Sequence, residues 1–232
     1  MKTQIHRSGE RGVGEHGWLS TRYSFSFADW YEPTRMGFGA LRVINDDTIA
    51  PQSGFGAHTH KDMEIITIVT GGCVTHQDSM GTQGAVCAGE VQVMSAGTGV
   101  VHAETNQSLD TPLTLFQIWI QPNARGVAPR YAQSAFDAQE GRTLLVSPMG
   151  HHEGLHIHQD AYITRLVGRS ESSESYVPHT AGNGVYVFVV DGSVRVGDVV
   201  LGARDALGVE DSSGFQIHMD APSILLVIEV PM

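Results

Sequence analysis

The feature that most limits what this chain can fold into is its series of short apolar runs, closed off by glycine. Thr114 to Ile120 sets Leu115, Gln117 and Trp119 against Phe116, Ile118 and Ile120. Ala40 to Ile44, Ile65 to Thr70, Cys73 to His76 and Val91 to Met94 are similarly short, with Gly71-Gly72, Gly89 and Gly97-Thr98-Gly99 at their ends. Runs of this length and spacing, rich in β-branched and aromatic residues, predict strands closed into a barrel or jelly roll. Ile65 to Thr70, Gly71-Gly72 and Cys73 to His76 read as strand, tight turn, strand, and Gln77 to Gly84 as a loop. Tyr23, Phe25 and Phe27 alternate with small polar residues, as in a half-buried strand.

The order then repeats. Val185 to Val190, Asp191-Gly192 and Ser193 to Val196 follow the outline of Ile65 to Thr70, Gly71-Gly72 and Cys73 to His76. Ala203-Arg204-Asp205 echoes Ala88-Gly89-Glu90, and Gly214 echoes Gly99. Internal repetition of this kind predicts two similar barrels. Pro122, Gly126 and Pro129 disfavour a central strand between them. The expected architecture is therefore all-β: an N-terminal barrel over 1–121, a linker over 122–141 with one helical turn near Ala132 to Phe136, and a C-terminal barrel over 142–232.

Within the first half, His58-Thr59-His60 and His102-Ala103-Glu104 stand out. Residues two apart in a strand project to the same side. His58 with His60, and His102 with Glu104, would thus converge from facing strands as three imidazoles and one carboxylate. That set suits a divalent first-row metal, and no cysteine joins it to make a thiolate site. The second half lacks the set. Pro178 and Thr180, or Ile217 and Met219, fall at the corresponding places, so a single metal site in the N-terminal barrel is expected. Glu64 keeps the parity of His58 and His60 and is expected behind the ligands as a hydrogen-bond acceptor. His76 and Asp78 read as surface polar residues, as does His218, and His156 and His158 as the solvated face of a strand running from Leu155 to Leu166. Phe25, Phe38 and Phe55 read as core, with a pocket as the alternative.

Composition excludes several classes. The net charge of −11 disfavours phosphate-backbone binding, which depends on many Lys and Arg contacts. With 17% charged residues the chain is not of the disordered type. The first residues lack the apolar core of a signal peptide, and no apolar run reaches the ~20 residues of a membrane helix. A cytoplasmic protein with no nucleic-acid or membrane partner is expected, with a monomer left as an open expectation. Cys73 and Cys87 make no C-x-x-C and read as two small strand residues kept reduced.

His58-x-His60, Glu64, Gly71, Gly89, Gly97, His102 and Asn106, in that order, resemble the two motifs of the cupin superfamily. Ser95 stands where cupins usually carry proline, and two extra residues separate Gly97 from His102. Both departures, and the H-x-E ending, resemble the pirin branch. So does the wording of residues 16 to 47, from His16-Gly17-Trp18 to Asn45-Asp46-Asp47. The resemblance implies a bicupin with His58, His60, His102 and Glu104 as ligands of one divalent transition metal, iron foremost, with copper, manganese, nickel, cobalt or zinc as alternatives. The bacterial pirin-like quercetinases imply a dioxygenase that opens the heterocyclic ring of a flavonol such as quercetin and releases carbon monoxide, with Glu104 as the base taking the flavonol hydroxyl proton. The resemblance leaves two other readings open: a non-catalytic metal-binding module for a regulatory protein partner, and a cupin enzyme of other specificity.

Overall fold

The computed structural model describes residues 1–232, and its regular structure is almost entirely strand. The first half forms β1 (Lys2–His6), β2 (Gly12–Glu15), β3 (Leu19–Tyr23), β4 (Leu41–Ile49), β5 (Ser53–His60), β6 (Glu64–Gly71), β7 (Cys73–Asp78), β8 (Gln83–Cys87), β9 (Glu90–Ser95), β10 (Val100–Asn106), β11 (Leu113–Ile120) and β12 (Arg130–Ala135). The second forms β13 (Gly141–Pro148), β14 (Leu155–Ile157), β15 (Tyr162–Gly168), β16 (Ser172–Tyr176), β17 (Gly184–Asp191), β18 (Ser193–Val196), β19 (Val199–Gly202), β20 (Ala206–Glu210), β21 (Phe215–Met219) and β22 (Ser223–Val230). No helix is long and apolar enough to cross a membrane.

Each barrel joins a seven-stranded sheet to a four-stranded one. The large sheets run β12-β9-β6-β11-β4-β3-β2 and β1-β20-β17-β22-β15-β13-β14; the small ones run β5-β10-β7-β8 and β16-β21-β18-β19. The two halves therefore repeat through most of their strands and differ at both edges of the large sheets: β2 precedes β3 and lies antiparallel to it, β14 follows β13 and lies parallel to it, and the opposite edges are exchanged. Strand β1, from the start of the chain, pairs with β20 in the second barrel, and β12, beyond the last strand of the first barrel, pairs with β9. The segment expected as a linker with a helical turn thus holds an edge strand. Pro122 and Pro129 precede it, and an edge strand is bonded along one side only, so they do not obstruct it.

The large sheets face each other, and their contact is the main core. One cluster of 23 buried residues draws on both halves, with Ile44, Ile66, Val93, Phe116 and Ile118 against Ile163, Tyr186, Phe188, Leu226 and Ile228. Phe116 and Phe188 meet edge to face at 5.4 Å across it. Each such aliphatic or aromatic side chain contributes about 1.5–3 kcal/mol by leaving water. Phe25 and Phe38 belong to this core, packed on Tyr186. Strand β6 shows why the sequence reads as an unbroken apolar run: Ile66 and Ile68 face the other half, while Ile65 and Val69 face its own barrel.

Two local expectations change. The turn at Gly71-Gly72 does not close a hairpin; β6 and β7 lie in different sheets, and the chain crosses between them with Gly72 at φ 74°. The hairpin is instead β7–β8, whose register sets Cys73 directly opposite Cys87. The cysteines form a disulfide, contrary to the reduced pair expected from their spacing. Cross-strand register, which spacing does not reveal, brings them together. Likewise the single strand expected from Leu155 to Leu166 is two strands, β14 and β15, broken at residues 158–161.

Candidate metal centre

Strand β10 runs antiparallel to β5 with His102 directly opposite His58 and Val100 opposite His60. Direct partners project to the same face, so the three imidazoles converge: ring centroids lie 4.4 Å apart for His58–His102, 4.8 Å for His58–His60 and 4.9 Å for His60–His102. Past this pair β5 bulges: Glu104 pairs opposite Phe55, so that Gly56 and Ala57 together face Ala103 alone. Strand β10 itself stays regular against β7, and Glu104 lies buried beside His102, 3% exposed. The close approach of β5 depends on Gly54, where a Cβ would collide with the Glu104 carbonyl oxygen.

The protonation pattern is readable from the contacts. His58 Nδ1 donates to the Gly56 carbonyl at 2.8 Å, which leaves Nε2 as a free lone pair. Both ring nitrogens of His102 are buried without a partner. Burial, reinforced by the neighbouring His58 and His60 imidazoles, lowers the His102 pKa to about 3; burial and His58 lower that of His60 to about 4. Both rings are therefore neutral near pH 7, the form that binds a cation.

Glu104 is held by three donors at its two oxygens. Oε1 accepts from the Thr67 hydroxyl at 3.2 Å and from Gln92 Nε2; Oε2 accepts from Gln117 Nε2 at 2.9 Å. Burial raises its pKa, while His76, Thr67, His58 and Gln117 oppose the rise. Three converging imidazoles, with both nitrogens of His102 buried and unpaired, fit a divalent first-row ion together with this carboxylate. His58, His60 and His102 offer nitrogens within 4.8 Å of one another, and so do His76, His102 and Glu104 with their own ligand atoms. His102 is common to both groups.

A cavity of about 170 Å³ opens over the cluster. Phe27, Phe55, Ile65 and Trp119 form its apolar side, and Asn45, Asp47 and Gln117 its polar side. Of the three phenylalanines weighed from the sequence, only Phe55 lines it. Asp47 was not expected here. Burial, with added repulsion from Asp46 and Glu104, pushes its pKa up to about 7 against a hydrogen bond from Thr21.

Two further expectations are overturned. His76 and Asp78 are not surface residues. His76 is fully buried, lies directly opposite Glu104 on β7, stacks on Tyr131 at 4.6 Å and holds Asp78 Oδ2 through Nε2 at 3.0 Å. Their inward direction follows from the β7–β8 hairpin, which the sequence concealed as a loop. Glu64, by contrast, does not stand behind the ligands. It shares the face of Ile66 and Ile68, accepts from Ser95 Oγ at 2.7 Å and sits towards His158 and Arg130 of the contact between the halves.

A family model described as Pirin matches residues 5–120, and one described as Quercetinase C-terminal cupin domain matches residues 144–230. The chain is 45% identical over 228 residues to quercetin 2,3-dioxygenase of Escherichia coli, covering 98% of each chain. The chain belongs to the pirin family. Another relative, the pirin-like protein of Caulobacter vibrioides, is 42% identical over 222 residues, covering 94% of this chain and 95% of that one. Among solved structures, a bacterial pirin of Escherichia coli in complex with nickel(II) superposes with a TM-score of 0.95 at 43% identity, covering 99% of each chain. A quercetin 2,3-dioxygenase of Acinetobacter baumannii, at 20% identity and a TM-score of 0.80 over 98% of this chain and 85% of that one, shares the fold. Both halves are thus pirin-like, and His58, His60, His102 and Glu104 form the candidate metal site.

Proposed function

We propose that this pirin is a metal-dependent dioxygenase that opens the heterocyclic ring of a flavonol such as quercetin and releases carbon monoxide. The observation that carries the reading is the convergence of His58, His60 and His102 above the buried Glu104, at the floor of an open pocket, in a chain 45% identical to a quercetin 2,3-dioxygenase. His58, His60, His102 and Glu104 are the ligands in this reading. A divalent transition metal held by them, iron foremost, supplies Lewis acidity and a common seat for substrate and dioxygen.

The chain's own side chains account for the rest. Phe27, Phe55 and Trp119 offer flat apolar walls to a planar flavonol and exclude water around it. Glu104 takes the proton of the flavonol 3-hydroxyl. Thr67, Gln92 and Gln117 donate to its carboxylate, which favours the ionised form needed to accept that proton. Electron density left on the deprotonated flavonol makes its ring open to dioxygen.

Glu104→Gln tests the assignment. The variant keeps the shape of the site and is expected to retain metal within about tenfold while losing roughly 10²–10⁴ of turnover. Metal content is read by elemental analysis and turnover by loss of flavonol absorbance in air with carbon monoxide detected. Undiminished turnover excludes the base role. A wild-type protein that holds metal and consumes no flavonol with any of iron, copper, manganese, nickel or cobalt favours the binding-module reading instead.

A further inference from the structure

The second barrel also has an open mouth, and its chemistry differs from the first. The correspondence is fixed by a bulge at the same place in each large sheet, between Thr114 and Leu115 in one and between Val189 and Asp191, opposite Ile224 and Leu225, in the other. It sets Gln117 against Val227, and through their β4 and β15 partners Asn45 against Thr164. Trp119, on the wall of the metal pocket, then corresponds to Glu229. A cavity of about 280 Å³ lies here, with Arg142, Thr164, Tyr176 and His179 in its walls and His151, His152 and Glu153 at one side.

Glu229 is fully buried and takes five donors. Oε2 accepts from the Tyr176 hydroxyl at 3.1 Å, the His179 backbone N–H at 2.8 Å and His179 Nδ1 at 2.9 Å. Oε1 accepts from the Thr180 N–H at 2.8 Å and Asn183 Nδ2 at 3.0 Å. The His179 ring also lies flat on Tyr162, at 4.1 Å and 11°, and Tyr162 is the cross-strand partner of Glu229. Fastening the loop at residues 177–183 needs only the two backbone donors. The imidazole is locked as well, by a carboxylate on one edge and a ring on its face. With Nδ1 donating to Glu229, Nε2 carries the lone pair, and it makes no hydrogen bond within the chain. Arg142 spends Nε and one Nη on Glu174 and the Ser175 carbonyl, which leaves Nη1 uncommitted beside Tyr176.

We infer that the mouth of the second barrel binds a small phenolic acid. His179 Nε2, oriented through the Nδ1 bond to Glu229, suits an acidic hydroxyl. The free edge of Arg142 suits a carboxylate. The aromatic ring between these two groups packs on Tyr176. The site does not depend on the first-barrel reading and needs no metal.

The test uses 3,4-dihydroxybenzoate as probe and benzoate as its hydroxyl-free control, titrated calorimetrically into the full chain. His102→Ala serves as the background, so that a catechol bound to a metal in the first barrel is not counted. Saturable binding at one site is expected in His102→Ala and in the metal-stripped wild type alike, with benzoate weaker by about fivefold or more, the loss of one hydrogen bond. His179→Phe keeps the stack on Tyr162 and the backbone donors; it should weaken 3,4-dihydroxybenzoate by about the same factor and leave benzoate unchanged. Arg142→Gln, which leaves the Glu229 network intact, should weaken both probes. Binding that disappears in His102→Ala, equal affinity for the two probes, or indifference to both second-barrel variants overturns the assignment.

Discussion

The two barrels share one plan and differ in what fills it. In the first, the inner faces of the strands carry Asp47, Thr67, His76, Gln92, His102, Glu104 and Gln117, all buried. In the second, the matching positions on β15, β17, β20 and β22 are Leu166, Val187, Leu207 and Val227. The inner faces of β18 and β21 carry Val194, Val196, Phe215, Ile217 and Met219. All nine belong to one apolar cluster of 15 residues. One barrel has given up a dry core to hold a polar site, and the other supplies the packing. The comparison teaches that a barrel interior of this size holds polar groups either bonded to one another, as around Glu104, or left open for a cation, as at His102, since each lone buried polar atom costs about 1–3 kcal/mol.

That contrast can be broken by exchanging residues. The largest effect is expected from Met219→Glu, which puts a carboxylate into the dry interior with no donor to meet it. A loss of about 4 kcal/mol or more is expected in urea unfolding; tolerance of the change would mean that the second barrel is less dry than its packing indicates. The reverse exchange, His102→Ile, should lower metal affinity by more than about a hundredfold. Because both His102 nitrogens are buried and unpaired, the metal-free variant should unfold no more easily than the metal-free wild type.

The disulfide sharpens the contrast further. Ser193 pairs opposite Gly202 where the first barrel has Cys73 opposite Cys87. Cys73→Ser should cost about 2 kcal/mol, somewhat below the roughly 3 kcal/mol of a 15-residue loop, because the hairpin already restrains the ends. An unchanged midpoint against a reduced control would show that the bridge adds nothing. Asp47, which corresponds to Leu166, adds a pH dependence to the contrast. Its pKa stands near 7 in the folded protein against a usual value of 3.8, so across that interval the native state holds a proton that the unfolded chain has released. Stability from this group is present at low pH and lost as pH rises through about 7. Asp47→Asn should therefore gain on the wild type by up to about 4 kcal/mol between pH 4 and pH 8, read from paired unfolding curves.

How far the sequence disclosed these features depends on which relation each residue obeys. His58, His60, His102 and Glu104 were legible because side-chain alternation is local, and the bulge lies in β5 beyond His58, which leaves both pairs in register. The repeat was legible through its glycine turns. His76 and Asp78 were hidden because Gln77 to Gly84 looks like polar loop, although its ends pair as strand. Asn45 and Asp47 looked like a polar strand end; only the β4–β11 register shows that they face Gln117 and Leu115 inside the barrel. Glu64 misled by parity, because β6 is buried on both faces and its even residues look to the other half. Strand β12 was masked by the prolines before it.

The exchange of edge strands between the halves bears on how the molecule is made. Strand β1 leaves the ribosome well before its partner β20, which lies some two hundred residues later, and neither half keeps its full sheet if the chain is cut between them. During synthesis that strand must wait with its hydrogen-bonding edges unmet. The two halves are thus buckled together by a strand made long before the one that receives it.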